Sequence, residues 1–112
     1  MEEMIRIIYK EPGKAAEVRE IPNTLEALQE AVGGYIEAFT FTTDCAAIVN
    51  EEGKLRGLPV NFGFLGEVLV GNVLFVGVDG EEFCSLTEQA ELFLMGMLDG
   101  VYWVERGERQ NA

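Results

Sequence analysis

Apolar and polar residues alternate along several short stretches of this chain, and apolar residues recur at helical spacing in two others. Residues 4–10 (MIRIIYK) and 17–21 (EVREI) have the β-branched content of strands. Pro12 and Gly13 between them suit the central positions of a type II turn. The pattern predicts an N-terminal hairpin, and the mixed charge of EVREI indicates a strand at a sheet edge.

A short helix is predicted after this hairpin. Asn23 is its expected N-cap, with Glu26 as the capping-box partner. Gly33 and Gly34 supply a left-handed stop at the other end. The apolar face is formed by residues at helical spacing, namely Leu25, Leu28 and Val32.

The middle of the chain predicts an antiparallel strand pair followed by a loop. Residues 35–43 alternate strongly, and residues 45–50 (CAAIVN) are the expected partner strand. Glu37 falls on the aromatic side of the first strand and is interpreted as an exposed position at a strand end or as a hydrogen-bond partner of a turn. Residues 55–66, which contain Pro59 and several glycines, are interpreted as a loop, and residues 67–70 as either a short strand or a turn.

A continuous apolar run, VLFVGV at residues 73–78, predicts a central strand that is buried on both faces. Gly77 within it indicates a bulge or a close backbone approach. Asp79 and Gly80 then predict a tight hairpin turn, after which residues 81–84 return briefly.

The second helix is predicted to begin at Ser85, with Glu88 completing a capping box. Its apolar face comprises Leu86, Ala90, Phe93, Leu94, Met97 and Val101. A second apolar patch lies off that face, at Leu92, Met95 and Trp103. This patch has two interpretations, additional core or a contact between copies in a homo-oligomer.

These elements predict an α+β fold, a mainly antiparallel sheet of about five or six strands with two helices packed on it. The expected order is β-β-α-β-β-β-β-α. A chain of 112 residues has the size of one domain. The domain is expected at residues 1–104, and the charged tail at 105–112 is expected to fray.

The charge of the chain is its main compositional feature. Lys plus Arg number 8 and Asp plus Glu number 20, which gives a formal net charge of −12. Such a field repels nucleic-acid phosphates and acidic membranes and attracts a basic protein surface, although solubility alone also explains it. The candidate acidic face lies at two predicted turns and consists of Glu51, Glu52, Asp79, Glu81 and Glu82.

Several chemistries are excluded by residue type. The chain has no His, which excludes Ser-His-Asp and Cys-His pairs and His-metal sites, and its two cysteines are too few for an all-cysteine zinc site. Cys45 and Cys84 have few cations nearby in the sequence to lower a thiol pKa. The sequence therefore predicts no catalytic residue, metal or cofactor. Two cysteines, no apolar run near the roughly 20 residues of a membrane helix, and an acidic start indicate a cytoplasmic protein.

Three segments carry a resemblance to a known family: EVREIPNTLEALQEAVGGYIEAF, AIVNEEGKLRGLPVN and GNVLFVGVDGEEFCSLT, within residues 17–87. The matching features are the helix ending in VGGYIE, the IVNEEGK turn, the LP-x-N loop and the GNVLFVG strand. In these the chain resembles the uncharacterised family called domain of unknown function 3846, whose members are products of bacteria, phages and conjugative elements. The resemblance implies a small α+β domain with mobile-element connections and assigns no catalytic residue.

The leading hypothesis is a non-catalytic acidic interaction protein. Its narrower form is an antirestriction-type or inhibitor protein of a mobile element or phage, which competes with nucleic acid for a basic partner. The alternative is a small-molecule-binding module that uses the 55–66 loop, with a candidate pocket at Asn61, Phe62 and Phe64.

Overall fold

The computed structural model describes residues 3–101 and confirms the predicted α+β class. In chain order the elements are β1 (Met4–Lys10), β2 (Glu17–Pro22), α1 (Leu25–Val32), β3 (Ile36–Thr42), β4 (Cys45–Asn50), β5 (Val60–Phe64), β6 (Glu67–Val70), β7 (Val73–Asp79), β8 (Glu82–Cys84) and α2 (Glu88–Leu98). Neither helix in the described range is long and apolar enough to cross a membrane. Trp103 and the predicted tail at residues 105–112 lie outside the described residues.

The central strand of the main sheet is β7, as the apolar run predicts. The sheet runs β2-β1-β7-β4-β3, and each of its strand pairs is antiparallel. Phe75 of β7 lies opposite Ile8 of β1 on one side and opposite Ala47 of β4 on the other. β8 pairs with β7 beyond the end of β1, so the sheet has six strands. β2, predicted as an edge strand, and β3 form its two edges.

Alternation along β7 divides the core into two faces. Val73 and Phe75 point to the α2 face, which α2 and the β5–β6 hairpin cover, whereas Leu74 and Val76 point to the α1 face. All four side chains are fully buried, which confirms that β7 is covered on both faces. Complete burial of a side chain of this size contributes roughly 1.5–3 kcal/mol, so these four residues of β7 contribute substantially to the stability of the fold.

The β5–β6 hairpin replaces part of the predicted loop. Residues 60–64 form strand β5 and pair with β6 in a separate two-stranded sheet, so the loop prediction is wrong for these residues. The register shifts between Val60 and Phe62, and Asn61 and Phe62 are both buried. A bulge next to a buried polar residue interrupts the alternation by which a strand is recognised.

Both helices begin later than predicted. Thr24 and Thr87 are the N-caps, and each hydroxyl accepts a hydrogen bond from the amide three residues on. Asn23 instead donates its side-chain amide to a main-chain carbonyl of β8 at 3.0 Å, and the Ser85 hydroxyl accepts from the Arg6 amide at 2.9 Å. The two predicted caps are wrong because these side chains hold the end of β8 against its neighbours.

α2 packs on the sheet through Leu94 and Leu98, which are 1% and 3% exposed. Phe93 and Met97, predicted on the same buried face, are 69% and 39% exposed, so that part of the prediction is wrong. Both pairs are four residues apart and both are apolar, so periodicity alone does not decide which pair faces the sheet.

Gly77 confirms the predicted close backbone approach. A Cβ at this position would lie 2.3 Å from the carbonyl oxygen of Ser85. The neighbouring strands place Cys45 and Cys84 opposite Gly77, one on each side. The chain between β8 and α2 thus passes directly over β7, where only a hydrogen atom fits.

Gly77→Ala is expected to lower the free energy of unfolding by at least about 2 kcal/mol, because the new methyl group must displace main-chain atoms. Gly96→Ala in α2 is the matched control, since nothing lies within 4 Å of its new Cβ. That variant is expected to gain about 0.5–1 kcal/mol from helix propensity. Urea unfolding measures both, and a Gly77→Ala protein as stable as wild type would contradict the close approach.

A bidentate ion pair joins α2 to β1. Arg6 Nε lies 2.6 Å from Glu91 Oε1, and Arg6 Nη2 lies 3.1 Å from Glu91 Oε2. The hydrogen bond from Arg6, together with its charge, lowers the pKa of the Glu91 carboxyl group. A carboxyl group with a lowered folded-state pKa stabilises the fold above its unfolded pKa and loses this contribution as the pH falls through the folded value.

Glu91→Gln is therefore expected to melt below the wild type at about pH 7, and the difference should shrink as the pH falls below about 4.5. Thermal unfolding of both proteins from about pH 7 to about pH 3 measures this change. A melting difference that stays constant over the whole series would show that the ion pair does not stabilise the α2 contact.

Candidate functional site

All three candidate pocket residues, Asn61, Phe62 and Phe64, are buried. Asn61 Nδ2 donates to the carbonyls of Lys10 at 2.8 Å and Gly71 at 2.7 Å, while its Oδ1 accepts from the Lys10 ammonium at 2.9 Å. This ammonium also donates to the Glu11 carbonyl at 2.9 Å and lies 5.9 Å from the centroid of the Phe62 ring. Asn61 therefore connects β5 to β1 and to the turn before β7.

Three side-chain donors cover the carbonyl end of α1. Asn72, Asn50 and Arg56 donate to the main-chain carbonyls of residues 31, 32 and 33 at 2.9, 3.1 and 3.1 Å. The last carbonyl groups of a helix receive no hydrogen bond from within the helix. These three side-chain donors therefore satisfy carbonyl groups that would otherwise need water. The VGGY, IVN and GNV segments of the family resemblance thus build a helix cap.

The five acidic residues predicted at two turns do not form a single face. They fall into two exposed groups, Glu51 and Glu52 after β4, and Asp79, Glu81 and Glu82 around the β7–β8 turn. β4 and β7 are antiparallel, with Cys45 opposite Gly77, so the two groups lie at opposite ends of this strand pair. A strand of six residues is roughly 20 Å long, which separates the groups by about that distance.

A groove of about 380 Å³ opens where the ends of β3 and β4 face β6. We call it the acidic groove, because three carboxylates and one ammonium surround an apolar floor. The charged residues are Glu37, Glu51, Glu67 and Lys54, and the floor includes Phe39, Val49 and Leu69. Of the predicted acidic residues, only Glu51 lines it.

The charges of the acidic groove are only partly paired. Lys54 Nζ lies 3.1 Å from Glu67 Oε1, and both side chains are more than 60% exposed. Neither Glu37 nor Glu51 has an ion-pair partner among residues 3–101. The groove therefore combines excess negative charge with exposed hydrocarbon.

A second groove, of about 530 Å³, lies between β3, α2 and the tip of the β5–β6 hairpin. We call it the apolar groove, and its lining includes Phe41, Phe64, Leu65, Phe93 and Met97. The Phe41 ring packs edge-on against the Phe64 ring, with centroids 5.0 Å apart. Phe64 is 8% exposed, and it is the one candidate pocket residue that lines either groove in the described part of the chain.

The predicted oligomer patch is divided by the structure. Leu92 is exposed and does not line the apolar groove, whereas Met95 packs partly against the core of the α2 face. Trp103 lies outside the described residues. The exposed apolar surface of α2 is instead formed by Leu92 together with Phe93 and Met97.

Two groove residues, Leu65 and Glu67, were missed because the β5–β6 hairpin was not predicted. Leu65 and Gly66 form its two-residue turn, with φ angles of 53° and 83°. This is the left-handed geometry of a type I′ turn, which favours Asn-Gly. The available signal was Leu65-Gly66 between the apolar stretches VNFGF and EVLV.

Leu65→Asn is expected to raise the free energy of unfolding by about 0.5–1 kcal/mol, because a left-handed Leu costs roughly 1–2 kcal/mol and Asn adopts this conformation readily. Leu65 is 71% exposed and recovers little of that cost by burial. Leu55→Asn is the control, since Leu55 is 88% exposed without a positive φ. Chemical denaturation should show a gain for Leu65→Asn alone, and equal effects of both changes would exclude strain at Leu65.

The two thiols lack the features of a nucleophile. Cys45 is buried, and Cys84 is partly buried beneath the chain that leaves β8. Burial raises the pKa of the Cys84 thiol, and the nearby carboxylates of Asp79, Glu3 and Asp44 raise it further. In the described range, no three Cys, Asp or Glu side chains come close enough to hold a metal ion.

Comparison with known proteins gives one family. The family model described as Domain of unknown function (DUF3846) matches residues 5–98, which extends the resemblance at both ends to include β1 and α2. No curated protein and no solved structure matches the chain.

Proposed function

The chain belongs to the domain of unknown function 3846 family, and we propose that it is a non-catalytic binding domain whose acidic groove receives a basic segment of a partner protein. The observation that carries this proposal is the convergence of Glu37, Glu51 and Glu67 around an apolar floor. These residues come from three different strands or turns, so the fold is required to bring them together.

The charge of the groove favours a cationic ligand. Three carboxylates and the ammonium of Lys54 leave a formal charge of −3 + 1 = −2 at the groove. An exposed ion pair such as Lys54–Glu67 is typically worth less than about 1 kcal/mol, so a cation from a partner competes with it easily. The chain's overall charge of −12 steers a basic partner towards any such site.

The floor of the groove favours Arg or Lys within a protein segment over a simple cation. These side chains place hydrocarbon stems on apolar surface while their charged ends stay in water. Phe39, which is partly buried, and Val68, which is 44% exposed, offer such a surface in the same groove as the carboxylates. A solubilising acidic surface has no need for this pairing of charge with exposed hydrocarbon.

Competition with nucleic acid is a narrower use of the same site. A domain that holds the nucleic-acid-binding segment of a basic protein in this groove would act as an antirestriction-type or inhibitor protein of a phage or mobile element. The net charge supports this use. Because Asp79, Glu81 and Glu82 lie at the other end of the sheet, the competing surface would be centred on the acidic groove rather than on all five turn residues.

The proposal predicts that fluorescein-labelled nonaarginine binds at low salt and that the triple variant Glu37→Gln, Glu51→Gln, Glu67→Gln loses about tenfold or more in affinity. Three lost charge contacts of a few tenths to 1 kcal/mol each give this size of effect. Fluorescence anisotropy measures the dissociation constant at low and physiological salt.

The matched control is Glu20→Gln, Glu81→Gln, Glu82→Gln, which removes three exposed charges outside the groove. This control changes the net charge of the chain by the same amount. It therefore measures how much of the nonaarginine affinity comes from the overall charge of the protein alone. We expect it to lose less than about threefold. Equal losses in the two triple variants would mean that the acidic groove is not a specific site.

A further inference from the structure

The two edges of the main sheet are protected to different degrees. β2 carries Glu17, Arg19 and Glu20 and ends at Pro22, and charged residues and proline are the features that prevent an edge from pairing with another chain. β3, at the other edge, is seven residues long, has no proline and no lysine, and carries one charge. That charge is Glu37, which lines the acidic groove. The register of β3 with β4 is regular from Ile36 to Thr40 and shifts between Thr40 and Thr42.

The outer side of β3 presents main-chain groups to solvent. The Glu51 amide donates to the Tyr35 carbonyl at 2.8 Å, so the N–H and C=O groups of alternate residues from 35 onward point towards β4. Those of Ile36, Ala38 and Thr40 consequently point away from it. Within residues 3–101, β3 pairs with β4 alone.

Both grooves lie along the β3 edge. Glu37 and Phe39 contribute to the acidic groove, and Phe41 and Thr42 contribute to the apolar groove further along the strand. Glu37 and Phe41 are four residues apart, which corresponds to roughly 13 Å in an extended strand. A strand added beside β3 would run past both grooves in turn.

We propose that the partner segment adds to β3 as an extra strand and is recognised at two positions. A basic side chain enters the acidic groove, and a large apolar side chain four residues away on the same face enters the apolar groove. Main-chain hydrogen bonds to the outward groups of β3 supply affinity, and the two side chains supply specificity, as in other cases of strand addition. This inference rests on the proposed function, because it takes the partner to be basic.

Charge complementarity selects such a partner over a second copy of this chain. Two copies would each carry −12, and a second β3 would bring Glu37 rather than a cation to the acidic groove. Leu65, which lies exposed at the apolar groove in a conformation costly for Leu, is placed to contact the incoming apolar side chain.

The test uses acetylated, fluorescein-labelled heptapeptides. The probe Thr-Arg-Thr-Val-Thr-Phe-Thr has Arg and Phe four positions apart on one face, and its reversed sequence covers the opposite strand direction. The control Thr-Arg-Thr-Val-Phe-Thr-Thr has the same composition but puts Arg and Phe on opposite faces. One of the two probe directions is expected to bind at least about tenfold more tightly than the control.

Two further changes test the strand pairing itself. Ala38→Pro removes an outward amide without removing a hydrogen bond to β4, so the fold is expected to survive and probe binding to fall by at least about tenfold. Ala38→Val keeps the amide and should keep binding. A further test changes only the probe. One version is N-methylated at its odd-numbered residues and another at its even-numbered residues, and only the version methylated on the side that faces β3 should lose binding.

The outcomes separate this inference from the proposed function. Strand addition is wrong if the probe binds no better than the control, or if both N-methylated versions of the probe bind. The proposed function is still supported in that case, provided that nonaarginine binding depends on Glu37, Glu51 and Glu67. If the glutamate triple variant binds nonaarginine like the wild type, the proposed function is wrong. A dimer in light scattering that Ala38→Pro converts to monomer would assign the β3 edge to a second copy and overturn the inference.

Discussion

The fold depends on the burial of β7 on both faces and along both of its sides. Its side chains fill the α1 face and the α2 face alternately, while its main chain pairs with β1 and β8 on one side and with β4 on the other. A strand whose residues 73–77 are all buried must lie in the middle of the sheet. The remaining strands can then only extend outwards, which leaves β2 and β3 at the edges.

The grooves follow from the way in which the α2 face is covered. The α1 face is covered by one helix, but the α2 face is covered by two separate pieces, α2 and the β5–β6 hairpin. These pieces meet over Phe75, where the aromatic rings of Phe41, Phe62 and Phe64 also pack. Towards β3 the cover is incomplete, and the acidic and apolar grooves open on either side of the hairpin.

Buried polar contacts fix the hairpin and the helix that frame these openings. Asn61 bonds to β1 and to the turn before β7, and Asn50 and Asn72 bond to the carbonyl end of α1. A buried amide that loses its partners costs roughly 1–3 kcal/mol, so these three side chains allow few alternative arrangements. Architecture therefore explains the asparagines in the segments that carry the family resemblance. The same segments also contain Glu37, Glu51 and Lys54, which line the acidic groove.

The sequence predicted the central strand, the β2 edge, both helices and the close approach at Gly77, because each depends on local alternation or on a residue type with one physical role. It did not predict the β5–β6 hairpin, since buried Asn61 interrupts the apolar pattern of β5. The sequence analysis predicted Phe93 in the core because helical spacing alone does not distinguish the Phe93–Met97 pair from the Leu94–Leu98 pair. Only contact with the sheet decides which pair is buried. The acidic groove requires Glu37, Glu51 and Glu67 to meet in space, which depends on that unpredicted hairpin.

Residue-resolved amide hydrogen exchange of the free protein tests the central claim most directly, namely that β7 is enclosed and β3 presents an open edge. The account predicts that β7 amides exchange only by global unfolding, while along β3 the amides of Ile36, Ala38 and Thr40 exchange fast and those of Glu37 and Phe39 are protected. Rapid exchange in β7, or uniform protection along β3, would contradict it.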